Sequence, residues 1–265
     1  MILLGGLGGA LLLIAQPLPA QGDVPAQATA GFQFAPPLDR PMTYRVTTRR
    51  IGRDGTLINF SLVYALQWQR IGRGYQLRSV LQRIDSGAPP AVTRALTLML
   101  QPLVGEELAY LVAPDGSRID LVDPDGLWER ATARIETTGA EGDRAEAKQL
   151  AQLIAALPVA ERDRLVTADM RALVAAANDA IAAAAAADGA SVSMLHGGTL
   201  RTVAKVETES ATGHGAPPLQ IDHLWTVDTA TGLVMQERRQ SWIVDAQSGG
   251  RTLVEERVRA IEPAS

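Results

Sequence analysis

The side chains best suited to chemistry in this sequence are three histidines, and they are far apart along the chain. His196, His214 and His223 do not have the spacing of a chelating pair. His196 precedes Gly197-Gly198, which is reminiscent of the oxyanion loop of lipases and esterases, but the Gly-x-Ser-x-Gly nucleophile motif of those enzymes is missing. His214 lies in a loop rich in Gly and Pro and is predicted to be solvated. We therefore predict no catalytic residue.

A group of four aspartates lies near two predicted turns: Asp115, Asp120, Asp123 and Asp125. The spacing does not match a calcium-binding loop, which also needs a distal Glu. Asp-Gly and Pro-Asp-Gly are common in ordinary turns, so we interpret the group as turn residues. The chain has no Cys, no phosphate-binding loop and no dinucleotide fingerprint. The sequence therefore predicts no metal, no cofactor and no enzyme.

Three residues are candidates for binding a ligand. His223 and Trp225 share one face of a predicted strand, and Trp68 ends the apolar face of another. Each combines apolar bulk with a polar tip, which suits the rim of an apolar pocket. The alternative is that they are ordinary core or strand-end residues, and for His223 a hydrogen-bonded core histidine.

The amino-terminal residues predict export. An apolar run, Ile2–Ala15, is followed by Pro and small residues, which predicts a signal peptide over residues 1–20. The alternative is a membrane anchor, although spanning a bilayer takes about 20 apolar residues. Residues 21–41 are rich in Pro, Ala, Gln and Gly and are predicted to form a flexible leader, with Phe32 and Phe34 as candidates to attach its end to the sheet. Export without Cys predicts the bacterial periplasm.

Alternating apolar residues predict a sheet over most of the remaining chain. Met42–Ile51, Thr56–Ile71 and Tyr75–Ile84 are predicted to be three consecutive antiparallel strands. The middle strand carries one continuous apolar face: Ile58, Phe60, Leu62, Tyr64, Leu66 and Trp68. Further strands are predicted at Glu107–Ala113, Ser117–Val122, Leu200–Ser210, Gln220–Thr229, Leu233–Asp245 and Arg251–Ile261.

Helical spacing of apolar residues predicts the covers of this sheet. Short helices are predicted at Ala91–Leu100 and Leu127–Thr137, and a longer helical segment at residues 143–188. Together these elements predict a single α+β domain over residues 42–262. We predict a long curved antiparallel sheet, a half-barrel, with helices covering its concave face.

The charges are unevenly distributed. Residues 40–94 contain ten Arg and two Asp, whereas residues 106–188 contain sixteen acidic and eight basic residues. A basic sheet surface could attract anionic headgroups and allow peripheral membrane contact, or it could face the acidic helices of the same chain. The net charge of −4 gives no support to a nucleic-acid partner.

The order of elements resembles the periplasmic lipoprotein-carrier superfamily, the LolA-like half-barrels, and also resembles other secreted bacterial proteins. The local support is the strand–turn–strand phrase Trp225–Leu233. The resemblance implies a non-enzymatic periplasmic carrier or sensor of an apolar or lipidic molecule, with a lipid or lipoprotein as partner. The alternatives are a structural or interaction protein of the cell envelope without a small ligand, and a hydrolase whose site the sequence does not indicate.

Overall fold

The structure is a computed structural model that describes the greater part of the chain beyond residue 33. The described residues are 34–52, 54–141, 148–149, 151–152, 154, 156–177, 180–187, 190–195, 199–209, 218–245 and 248–262. The predicted signal peptide, Phe32, His196 and His214 lie outside this part of the chain. Predictions about them stay predictions.

Ten strands form one antiparallel sheet, whose order is β5-β4-β3-β2-β1-β10-β9-β8-β7-β6. Their bounds are β1 Met42–Ile51, β2 Leu57–Ile71, β3 Gly74–Ser86, β4 Glu107–Val112, β5 Ile119–Leu121, β6 Ser191–Leu195, β7 Leu200–Glu209, β8 Leu219–Asp228, β9 Leu233–Val244 and β10 Arg251–Glu262. The predicted antiparallel sheet and α+β class are confirmed.

The sheet consists of two meanders joined at its centre. Within each half, every strand pairs with its neighbour in sequence. The halves are joined by β1 and β10, whose register runs from Thr43 opposite Glu262 to Arg50 opposite Glu255. Strands β5 and β6 lie at opposite ends of the strand order and do not pair with each other in the described part of the chain, so the sheet is not closed.

Four helices have bounds in the described residues. Helix α1, Pro90–Leu100, connects β3 to the 3-10 turn Gln101–Leu103 that precedes β4. Helices α2 (Pro124–Glu141), α3 (Val159–Leu173) and α4 (Ala180–Ala186) lie in the long connection between β5 and β6. Pro90 occupies the first turn of α1, where its missing N–H breaks no helical hydrogen bond. Helices α3 and α4 fall within the predicted helical segment 143–188.

The main core lies on one face of the sheet, which we call the core face. It contains Tyr44 and Val46 of β1, together with Leu62, Leu66 and Trp68 of β2, all at most 8% exposed. Phe60 and Tyr64 of β2 pack against the same cluster, and Ile58 is half-buried. Side chains of α2 and α3 belong to this cluster as well: Leu127, Met170 and Leu173. The predicted burial of the β2 face is confirmed for the three residues that lie deepest.

Residues 34–41, which we call the strap, join the β8–β9 turn to β2. The ring of Phe34 packs edge-on against Trp68 at 5.7 Å and Tyr75 at 5.3 Å between centroids. The amide of Ala35 donates to the Thr231 carbonyl at 3.0 Å, and the amide of Asp39 donates to the Trp68 carbonyl at 2.8 Å. These contacts attach residues 34–41, the end of the predicted flexible leader, to the sheet.

The β4–β5 turn packs directly on the strap. Gly116 in this turn has φ +74°, and a Cβ atom there would lie 2.8 Å from the Phe34 ring and 2.5 Å from Ala177. Both the backbone conformation and the close approach favour glycine at this position.

Candidate functional site

Trp68, the first of the predicted ligand-binding residues, lies inside the main core. Its side chain is 0% exposed and contacts Phe34 and Tyr75 edge-on. The indole Nε1–H has no hydrogen-bond partner among the described residues. Trp68 belongs to a different apolar cluster from the one that Trp225 packs against.

The other two predicted residues, His223 and Trp225, lie together on β8. Their rings stack with centroids 4.9 Å apart and planes inclined by 8°. His223 Nε2 lies 3.1 Å from Glu207 Oε1, while Nδ1 is buried with no partner among the described residues. Within the described ranges, the imidazole is thus not linked to a Ser or Thr hydroxyl, as a nucleophilic relay would require.

Burial, and not the neighbouring carboxylate, has the larger effect on the His223 ring. Burial lowers the pKa of His223 and outweighs the nearby carboxylate of Glu207. The pKa of Glu207 is itself lowered, chiefly by a hydrogen bond from Lys205 at 2.8 Å, with His223 adding to the effect. This surface is thus a Lys–Glu–His chain with an aromatic stack.

A buried ion network joins α3 to the second half of the sheet. Asp169 Oδ1 accepts from Arg257 Nη2 at 2.7 Å and from Arg259 Nε at 3.0 Å. Arg259 Nη1 donates to Glu237 Oε2 at 2.7 Å. Asp169 and Glu237 are 8% and 7% exposed, so the two carboxylates and the two guanidinium groups balance each other's charge inside the protein.

Tyrosine hydroxyls hold the same helix. Tyr44 donates to the Asp169 carbonyl at 3.1 Å, and Tyr110 donates to the Val166 carbonyl at 2.7 Å. Burial, together with the Asp169 carboxylate, raises the pKa of both tyrosines, so both remain protonated donors. Burial acts to lower the pKa of Arg259, but Asp169 and Glu237 outweigh it and the pKa is raised. The network attaches α3 to the sheet, and each of its four charged side chains has a partner of opposite charge.

Two of the four aspartates, Asp115 and Asp123, have the turn roles that the sequence indicates, whereas Asp120 lies in β5. Asp115 Oδ1 accepts from the amide and hydroxyl of Ser117 at 3.0 and 2.7 Å. Asp123 accepts from the amide of Gly126 in the first turn of α2 at 3.1 Å. Asp120 pairs with Arg118 at 2.7 Å. Within the described residues, no group of three or more His, Asp or Glu side chains could hold a metal ion.

A groove of about 550 Å³ lies along α2 and is mostly lined by charged and small side chains. Its lining is Asp125, Trp128, Glu129, Thr132, Ala133, Glu136, Ile154 and Arg162. The indole Nε1 of Trp128 and Nε of Arg162 are buried without partners among the described residues. The groove offers little continuous apolar surface to a ligand.

A pocket of about 460 Å³ lies where the strap meets the ends of β1, β8, β9 and β10. Its apolar lining is Pro37, Pro41, Met42, Leu233, Met235 and Ile261. Its polar lining is Arg40, Asp228, Thr231 and Glu262. The volume lies within the range of about 300–1,000 Å³ that is typical of small-molecule pockets, and the mixture of apolar walls with a few polar groups is also typical. We call this the strand-end pocket.

Rigid elements build the strand-end pocket. One wall is the β8–β9 turn, where Asp228 accepts from the amide of Ala230 at 3.1 Å and the hydroxyl of Thr231 at 2.8 Å. Gly232 completes this turn with φ +71°. The opposite wall is the strap, which Pro37 and Pro41 stiffen and which Asp39 bends through a left-handed conformation, φ 55°. Two walls of the pocket thus rest on backbone that turns and prolines restrict.

No local sequence pattern indicates this pocket. Met42, Met235 and Ile261 lie at or near the ends of three different strands, and they meet because β1 pairs with β10 and β10 pairs with β9. The phrase Trp225–Leu233 contains Asp228, Thr231 and Leu233 of the wall, but it indicated a family resemblance and not a binding site. Trp68, His223 and Trp225 are not among the lining residues.

Comparisons with known proteins add no identification. No protein-family model matches the sequence, and no curated protein matches it either. Among the helices in the described part of the chain, none is both long enough and apolar enough to cross a membrane.

Proposed function

We propose that this protein is a non-enzymatic periplasmic carrier or sensor that binds a small apolar or lipidic ligand in the strand-end pocket. The observation that carries the proposal is the pocket itself, about 460 Å³ with walls of Met, Leu, Ile and Pro side chains. The space between the sheet and α3 is filled by the main core, which leaves the strand ends as the better site. The proposal assigns no catalytic residue and no cofactor.

The proposal includes the finer architecture predicted from the sequence. We propose that the antiparallel sheet is curved into a half-barrel whose concave side carries the helices, as in the lipoprotein-carrier superfamily that the order of elements resembles. Support comes from α2 and α3, whose Leu127, Met170 and Leu173 share the main core with β1 to β4. Export by a signal peptide, a lipid or lipoprotein as partner, and contact with a membrane surface are parts of the same proposal, which includes no nucleic-acid partner.

A fluorescent fatty-acid probe tests the proposal on the purified chain. We expect saturable binding with a micromolar Kd. Each additional buried CH₂ contributes about 0.8 kcal/mol, so lengthening the apolar chain by one carbon should tighten Kd about fourfold until the pocket is full. No saturable binding by any chain length contradicts the proposal.

Matched methionine variants locate the site. Met235→Asp places a carboxylate in the apolar wall and should weaken probe binding at least tenfold. Met194→Asp makes the same change at a side chain of β6 that is 53% exposed, and binding should not change. Trp225→Ala serves as a third variant, because Trp225 does not line the pocket. If Trp225→Ala weakens binding more than Met235→Asp does, the ligand lies beside His223 instead.

The second candidate is an interaction protein of the cell envelope, and β6 is the observation that favours it. This strand lies at one end of the sheet, and its Val192 and Met194 are 46% and 53% exposed. An exposed edge strand with apolar side chains can pair with an extended segment of another chain. Introducing Pro at Val192 should abolish such an interaction without affecting probe binding.

A further inference from the structure

The polar residues of the strand-end pocket indicate the charge of its ligand. Three ionisable side chains line the pocket: Arg40, Asp228 and Glu262. Glu262 is paired with Arg45 of β1. Asp228 is committed to its turn, since its oxygens accept from the Ala230 amide and the Thr231 hydroxyl. Both carboxylates therefore serve the protein's own structure.

Arg40 differs from the two carboxylates because its guanidinium has no ion pair or hydrogen bond within the described residues, and the side chain is exposed. It is held beside the pocket by its neighbours Asp39, which bonds to β2, and Pro41, which restricts the backbone. A guanidinium presents a rigid fork of N–H donors that matches a carboxylate in two parallel hydrogen bonds. Arg40 is thus a donor without an acceptor at the edge of an apolar cavity.

We infer that the ligand is a monoanionic amphiphile, with a carboxylate head bound by Arg40 and an apolar chain lying on Met42, Met235 and Ile261. This inference rests on the proposed function and adds the chemical class of the ligand. The single negative charge follows from Arg40, which is the one guanidinium in the described lining and can balance one ligand charge. A second charge would lie uncompensated beside Asp228 and Glu262. A fatty-acid-like carboxylate fits this arrangement better than a phosphomonoester does.

Three ligands of eight carbons each separate the effect of the head group from that of the chain. Octanoate, 1-octanol and octyl phosphate are each titrated into the full purified chain by displacement of the fluorescent probe. We expect octanoate to bind at least tenfold more tightly than 1-octanol, and octyl phosphate to bind more weakly than octanoate near pH 7.5.

Two arginine variants assign the effect to one side chain. Arg40→Gln should weaken octanoate at least tenfold and change 1-octanol by less than twofold. Arg73→Gln is the matched control, since Arg73 is also exposed, lies in the β2–β3 turn and has no ion pair in the described part of the chain. It should leave both ligands unchanged. The thermal midpoint of each variant shows whether the fold is intact, and Arg40→Lys should retain part of the preference for octanoate.

The outcomes distinguish a failure of this inference from a failure of the proposed function. Equal binding of octanoate and 1-octanol, or equal weakening of both by Arg40→Gln, overturns the inference and leaves the apolar pocket in place. Tighter binding of octyl phosphate than of octanoate overturns the single-charge assignment. Absence of binding by all three ligands overturns the inference together with the proposed function.

Discussion

The two halves of the core face are built from different kinds of side chain. On β2 and β3 this face carries Leu62, Leu66, Trp68 and Leu77, all buried and apolar. Across the β1–β10 junction the same face carries a buried ion network beside a second apolar cluster. The register places Arg259 beside Val46, Glu237 beside Arg259 and Trp225 beside Glu237. The apolar cluster includes Val203 and Val227, both 0% exposed. We call β1 to β5 the apolar half, and β6 to β10, which carries the buried ions, the charged half.

The difference shows two ways of filling the space between a sheet and its helices. The apolar half gains stability from removing hydrocarbon from water, which is not directional. The charged half needs each buried ion to meet a partner, because an unpaired buried charge is strongly unfavourable. Asp169 of α3 supplies that partner for two arginines of β10. We expect the apolar half to lose stability when a polar side chain replaces a buried apolar one. We expect the charged half to lose stability when one buried ion loses its partner.

The largest effect is expected in the apolar half. Leu62→Asp should unfold the domain, because an unpaired buried charge costs several kcal/mol against a total stability of about 5–15 kcal/mol. Leu57→Asp, on the same strand at a side chain 56% exposed, should have little effect. Thermal unfolding followed by circular dichroism measures both, and a parental midpoint for Leu62→Asp would mean that this face is not buried.

A smaller but clear effect is expected in the charged half. Asp169→Asn keeps the shape of the side chain and removes the charge between Arg257 and Arg259, so the free energy of unfolding should fall by about 3–5 kcal/mol. Asp163→Asn, on the same helix, interrupts a more exposed pair with Arg171 and should cost at most about 1 kcal/mol. Urea denaturation compares the two. Equal losses would show that the network is not a buried one.

The smallest effect is a pH dependence that belongs to the charged half. Because burial lowers the pKa of His223, the unfolded chain takes up a proton at His223 more readily than the folded chain does. The free energy of unfolding should therefore decrease as the pH falls from about 7 to 5, on either side of the ordinary histidine pKa of about 6.5. Glu207, Lys205 and Arg239 surround the ring. Of these, Glu207 has a lowered pKa, so its own contribution is lost at lower pH than that of His223.

His223→Gln isolates this effect. Urea denaturation of both proteins at pH 5, 6 and 7.5 measures the free energy of unfolding. Between pH 7.5 and pH 5 this free energy should decrease less for the variant than for the parent protein. An identical pH dependence in the two proteins would place the titrating group elsewhere and remove this distinction between the halves.

The local elements could be predicted from the amino-acid sequence. Strict alternation along β2 predicted its buried face, because successive side chains in a strand point to opposite sides. Pro-Asp-Gly predicted the β4–β5 turn, and helical spacing predicted helices where α1, α2 and α3 lie. The short strand β6, Ser191–Leu195, was not predicted, since it has only five residues and Ser191 to Met194 all have exposed side chains, so it carries almost no pattern.

Tertiary structure alone decided the junction at the centre of the sheet and everything that depends on it. Alternation along β10 would assign Val258 to the core, yet the register places it opposite Thr47 on the other face and turns Arg257 and Arg259 inward. The physical reason is that Asp169 of α3 and Glu237 of β9 neutralise Arg259, whose side chain is 11% exposed, and Asp169 also pairs with the partly exposed Arg257. The strand-end pocket has the same origin. Its walls come from the strap and from strand ends far apart in sequence, and no local pattern encodes contacts between them.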